Sequence, residues 1–157
     1  MAAEALNPTD RLLAERACER LIVEFVHKLD LGEPGDVADL FTYAGFWEWS
    51  EGDRRVEGRD ALRSYFAGRP ADRLSRRICT NILVTVSSES TATATTYFTT
   101  YRVDGHVGGC LPPQAPTQVG HYEDTFLKVE GHWLLSSRSL YLAFAGPTER
   151  LEAAAAE

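Results

Sequence analysis

Residues 77–103 read RICTNILVTVSSESTATATTYFTTYRV. β-branched and aromatic residues dominate on both sides of Ser87-Ser88-Glu89-Ser90, which predicts two long strands around a turn rather than a helix. The pattern continues downstream: Thr117–Val129 reads as a strand, Glu130-Gly131-His132 as a tight turn, and Trp133–Phe144 as the last strand. Between them, Asp104–Pro116 is rich in Gly and Pro and predicts a long loop.

Upstream the period changes. Leu12/Leu13, Ala17/Cys18, Leu21/Ile22, Phe25/Val26 and Leu29 recur at helical spacing, giving one wide apolar stripe. Asn7 is placed to cap this helix, Pro8 suits its first position, and Asp10 suits its first turn. Leu31-Gly32-Glu33-Pro34-Gly35 stops it. A short helix from Asp36 to Phe41, a strand Phe46–Ser50, a partner strand Arg54–Glu57 and a third helix Asp60–Ala67 complete this half. Helices first and a meander of strands after them make an α+β fold, with helices packed on one face of the sheet. The expectation is one domain over residues 1–157, with its core at about 10–144 and flexible ends at 1–7 and 147–157.

Composition narrows the function. The 157 residues carry a net charge of −7, which argues against nucleic-acid and anionic-membrane partners. No stretch approaches the ~20 apolar residues of a membrane span, and the start has no basic or apolar leader, so a cytoplasmic location is expected. Cys18, Cys79 and Cys110 are too few and too scattered for a disulfide framework or a zinc site; each is expected as a small buried or half-buried side chain. The four histidines lack metal-ligand spacing, so no metal is expected.

Several residues stand out chemically. Asp30 ends an apolar stripe at a helix C-terminus, where the helix dipole disfavours an acid, so something local must hold it. Arg77 is a candidate partner across the sheet. His27, three residues before Asp30, and His121, beside Tyr122, are candidate bases because an imidazole titrates near neutrality. Trp47 and Trp49 share one strand face, and Tyr97 and Tyr101 share another. If the sheet is hollow inside, such aromatic walls suit a small, apolar, ring-bearing ligand.

Four stretches together resemble a known family. They are Phe-Val-His-Lys-Leu-Asp30 with Asp-Val-Ala-Asp-Leu-Phe41; Val56-Glu57-Gly58 with the helix after it; Arg76-Arg77-Ile78-Cys79-Thr80-Asn81; and Gly120-His121-Tyr122-Glu123-Asp124-Thr125-Phe126 with Gly131-His132-Trp133 and Arg138. The chain is similar over about residues 10–144 to the SnoaL-like branch of the NTF2-like superfamily, which includes scytalone dehydratase, bile acid 7α-dehydratase and hexachlorocyclohexane dehydrochlorinase. The resemblance implies a cone of curved antiparallel or mixed sheet wrapped by about three helices around a pocket, with no metal or organic cofactor. It implies that Asp30 is the family's Asp, that Arg138 is a pocket arginine, and that Asn81 lies at the pocket. It also implies a His at position 77, where this chain has Arg77. Self-association as a homodimer or homotrimer is the family's expectation.

Three functions compete at this point. One is a cofactor-free lyase, isomerase or dehydratase acting on a small, mostly apolar, cyclic molecule, with Asp30 aided by His27 or His121, and Arg77 and Arg138 stabilising the developing anion. The second is a binding module without chemistry, favoured by Arg77. The third is a small assembly subunit resembling the dioxygenase β subunit. The Gly105–Pro116 loop is either a lid or a surface loop.

Overall fold

The computed structural model describes residues 6–151; the expectations for residues 1–5 and 152–157 lie outside it. Helix α1 (Pro8–Leu31) starts where the Asn7 side chain accepts the Asp10 N–H at 3.0 Å, as its capping role requires. It buries Ala14, Cys18, Leu21, Ile22, Phe25, Val26 and Leu29. The stripe is shorter than its sequence pattern: Leu12 and Leu13 in the first turns are exposed.

A 3-10 helix (Pro34–Leu40) follows, then strands β1 (Phe41–Trp49) and β2 (Arg54–Glu57), helix α2 (Arg59–Ala67), and strands β3 (Leu74–Val86), β4 (Thr91–Asp104), β5 (Gln118–Val129), β6 (His132–Ala145) and β7 (Glu149–Arg150). One mixed sheet runs in the order β2-β1-β6-β5-β4-β3. β1 pairs parallel with β6 and β7 pairs parallel with β4, while the other pairs are antiparallel. This is the expected α+β architecture: among the described residues, α1, α2 and the Pro34–Leu40 helix pack on a strongly curled mixed sheet.

Two expectations need correction. β1 begins at Phe41 rather than Phe46, since Phe41 is fully buried and pairs with Leu135 across a bulge. Residues 149–151 are paired: β5 meets β4 only as far as Thr100, and β7 occupies the bare edge at Val103 and Asp104, with the Leu151 N–H donating to the Asp104 carbonyl at 2.7 Å.

The core lies between α1 and the concave sheet face. From Ala92 to Thr100 β4 alternates, with Ala92, Ala94, Thr96, Phe98 and Thr100 facing in and the intervening residues facing out. Phe25, Phe41, Phe98 and Phe126 are essentially fully buried, each contributing about 1.5–3 kcal/mol relative to exposure. Bulges curl the sheet. In β3 the register shifts between Thr80 and Leu83, where Asn81 takes φ 51°, a conformation Asn tolerates. At Gly120 the β5 and β6 backbones approach so closely that a Cβ would sit 2.0 Å from the Tyr141 carbonyl oxygen. No described helix is long and apolar enough to cross a membrane.

Candidate functional site

The acid at the end of α1 is held locally. Asp30 Oδ1 accepts from the Ser75 hydroxyl at 2.6 Å and from the Arg77 guanidinium at 2.5 Å, and Oδ2 accepts from the Arg77 backbone N–H at 2.6 Å. The carboxylate is only 5% exposed. Arg69, from the segment after α2, lies 3.9 Å from Oδ1 and donates to the Leu29 carbonyl and the Ser75 hydroxyl. Burial pushes the Arg69 pKa down to about 10, with the Arg77 charge adding to the effect. These bonds oppose the unfavourable helix-end dipole at Asp30.

Leu29, Arg69 and Arg77 border a cleft of about 310 Å³, at the small end of the roughly 300–1,000 Å³ common for ligand sites. Trp47, Trp49, Tyr65 and Phe66 form an aromatic wall, and Tyr122, Thr100 and Leu140 also line the cleft. Trp47 stacks on Tyr65 with ring centroids 5.5 Å apart. The indole N–H of Trp49 and the hydroxyl of Thr100 are buried and have no hydrogen-bond partner among the described residues. Burial raises the Tyr122 phenol to about 12, so it stays protonated.

The other candidates lie elsewhere. Arg138 is in the core, not the cleft: its Nε and Nη2 form a fork to Asp124, each bond 2.7 Å, and both side chains are fully buried. The guanidinium is sandwiched between the rings of Phe25 at 4.4 Å and Tyr122 at 4.2 Å. Burial works against the Arg138 charge, but the Asp124 carboxylate outweighs it and holds the group above its ordinary range.

His27 is exposed on α1, because an i, i+3 pair is separated by about 60° around a helix and the burial boundary runs between it and Asp30. His121 stands on the outer sheet face, stacked on Tyr141 at 5.0 Å with its Nε2 3.5 Å from Glu123. Tyr97 and Tyr101 fall on that same outer face, since Phe98 and Thr100 take the inward positions of β4. Asn81 is exposed at its bulge. The 105–116 loop contributes nothing to the cleft lining; Leu111–Gln114 instead border a groove beside Leu74 and Tyr101. Cys110 in this loop is exposed, not half-buried.

Sequence reasoning missed Arg69, Ser75, Tyr65 and Thr100. The available signal was the crowding of Arg69, Arg73, Arg76 and Arg77 within nine residues of a chain whose net charge is −7. Among the described residues, no group of three or more His, Cys, Asp or Glu is placed to hold a metal ion.

The sequence profile of the SnoaL-like domain matches residues 10–139. The chain belongs to the SnoaL-like family. Its fold also matches solved structures of low sequence identity. One is a putative scytalone dehydratase from Novosphingobium aromaticivorans, with TM-score 0.74 and 22% identity over 94% of this chain and 99% of that one. A type 2 hexachlorocyclohexane dehydrochlorinase, LinA, gives TM-score 0.72 and 14% identity over 90% and 96% of the two chains. ActVI-ORFA from Streptomyces coelicolor gives TM-score 0.67 and 20% identity over 84% and 97%. No curated protein matches the sequence. At these identities the structural likeness concerns the SnoaL-like fold alone.

Proposed function

We propose that this SnoaL-like domain takes a small, largely apolar, ring-bearing molecule into the Trp47–Trp49 cleft and holds it by stacking and hydrogen bonding, without a His–Asp proton relay. One observation carries this reading. Two buried donors at cleft-lining residues, the Trp49 indole N–H and the Thr100 hydroxyl, are unspent; Asp30 beside the cleft has both oxygens occupied by Ser75 and Arg77, Asp104 is paired with Arg73, and the lining holds no histidine. A carboxylate engaged in this way by a guanidinium and a hydroxyl is a good electrostatic anchor. Titration with 2-naphthylmethanol followed by calorimetry tests the reading. Saturable binding lost in Trp49→Ala supports it; heat indistinguishable from dilution in the wild-type protein contradicts it.

A second reading has its own observation. Arg54 donates to the Tyr65 hydroxyl at 3.1 Å beside the cleft. A phenol next to a guanidinium is suited to polarising a carbonyl, as a cofactor-free lyase, isomerase or dehydratase would need; a putative scytalone dehydratase and a dehydrochlorinase are among the fold's neighbours. Deuterium wash-in at the α-carbon of 2-tetralone, abolished by Tyr65→Phe, would establish that chemistry; wash-in at the solvent rate would exclude it for this substrate class. Self-association as a homodimer or homotrimer belongs to the same proposal. The exposed Leu83, Tyr97 and Phe144 support it, and native mass measurement tests it.

A further inference from the structure

Five arginines line the cleft: Arg54, Arg69, Arg73, Arg77 and Arg102. Only two carboxylates answer them. Asp30 is taken by Arg77 and lies 3.9 Å from Arg69. Asp104 is taken by Arg73, through bonds of 2.7 and 3.2 Å. Arg102 has no carboxylate within 4.0 Å among the described residues; its Nε donates at 2.9 Å to the neutral hydroxyl of Thr148, which its Nη2 also meets. Arg54 donates to the Tyr65 phenol and has no carboxylate within 4.0 Å among the described residues. Five positive groups against two negative leave a surplus of three at one concavity, in a chain whose overall charge is −7.

That local surplus is electrostatically unfavourable. Burial, and then repulsion from Arg73 and Arg77, lower the Arg102 pKa. A low-dielectric wall concentrates the field of such groups on whatever enters. Arg102 stands two residues after Thr100 on β4, so the two side chains lie on one face of the strand. Thr100 is 1% exposed and its hydroxyl has no partner. Guanidinium and hydroxyl together present donors, and the acids that could compete for them are already paired.

We propose that the ring-bearing molecule taken into this cleft carries a carboxylate, seated on Arg102 with the Thr100 hydroxyl as second donor. This rests on the binding reading above and adds the charge class of the ligand. The ring lies against Trp47 and Trp49, and the carboxylate supplies the negative charge that the cleft lacks.

Calorimetry with a matched pair, 2-naphthoate and 2-naphthylmethanol, on the full chain at pH 7 and low salt tests the proposal. Charge-assisted hydrogen bonding predicts 2-naphthoate about 10- to 100-fold tighter than the alcohol. Arg102→Gln brings the two within about threefold, whereas Arg76→Gln, which changes an arginine outside the cleft lining, leaves the preference intact. Equal affinities in the wild type overturn the carboxylate seat and leave the cleft reading standing; no binding of either probe overturns both. A preference that survives in folded Arg102→Gln also overturns the seat. Should that variant fail to fold, the wild type decides: 2-naphthoate affinity falling with added salt while the alcohol stays constant supports the seat, and salt-independent affinity for both contradicts it.

Discussion

Asp30 and Arg77 are joined twice. The backbone N–H of Arg77 meets one carboxylate oxygen at 2.6 Å and its guanidinium meets the other at 2.5 Å, so main chain and side chain of one strand residue fasten the end of α1 to β3. The clasp is nearly dry, with Asp30 5% and Arg77 13% exposed. Removing the acid strands Arg77 and leaves Arg69 without its nearest countercharge. Asp30→Asn is therefore expected to lower stability by about 3 kcal/mol, read as a fall in the urea midpoint, with the cost reduced when Arg77→Met is made in the same chain. Equal costs in both backgrounds would show that the two residues do not act as a pair.

Asp124 and Arg138 sit opposite each other on β5 and β6, fully buried. Breaking a buried pair costs more than replacing it, because the survivor keeps its desolvation penalty. Asp124→Asn should destabilise by about 3–5 kcal/mol, and the joint change Asp124→Leu with Arg138→Met by clearly less. Chemical denaturation of the two variants checks the order, and a double variant worse than the single one would refute it.

The Asp104 carboxyl is held below its ordinary value of 3.8 chiefly by its hydrogen bond to Arg73. A depressed folded-state pKa gives stability that is complete above about pH 4 and disappears as pH falls through the lower folded value. The wild type should therefore exceed Asp104→Asn in stability at pH 6, and the gap should narrow steadily between pH 4 and pH 2. Urea midpoints across that range measure it; a gap independent of pH would contradict the pairing.

Burial pushes the Cys18 thiol up to about 12 and also raises Cys79, while Cys110 stands exposed in its loop. Thiolate is the reactive form, so iodoacetamide at pH 8 should modify one cysteine rapidly in the native protein and three after unfolding. Mass spectrometry counts the adducts, and rapid native labelling of Cys18 would show that α1 does not seal it.

The long strands were legible because β-branched residues and turn clusters mark them locally, and α1 was legible from its period and the Asn7 cap. The start of β1 was hidden, since Tyr43 and Ala44 are exposed and the bulge before Phe46 breaks the alternation. β7 was invisible because two residues carry no period; the bare edge of β4 creates it. The inward face of β4 could not be chosen from composition, as Phe98 on one side and Tyr97 on the other are equally good aromatic markers. The family resemblance put Arg138 at the pocket, and nothing local shows that Asp124, fourteen residues earlier, folds back opposite it. The arginine crowding at 69–77 marks a charged site but not its partner, so only the folded chain reveals that Arg69 and Ser75 complete the surroundings of Asp30.

The cleft's role turns on whether a ring enters between the tryptophans. Amide and indole shifts of the labelled protein, followed during addition of 2-naphthylmethanol, give the most direct answer. Saturable changes are expected at the Trp47 and Trp49 indoles and at Thr100 and Tyr122, with His27 and His121 unmoved. Shifts confined to the outer sheet face around His121 and Tyr141, or none at all, would contradict it.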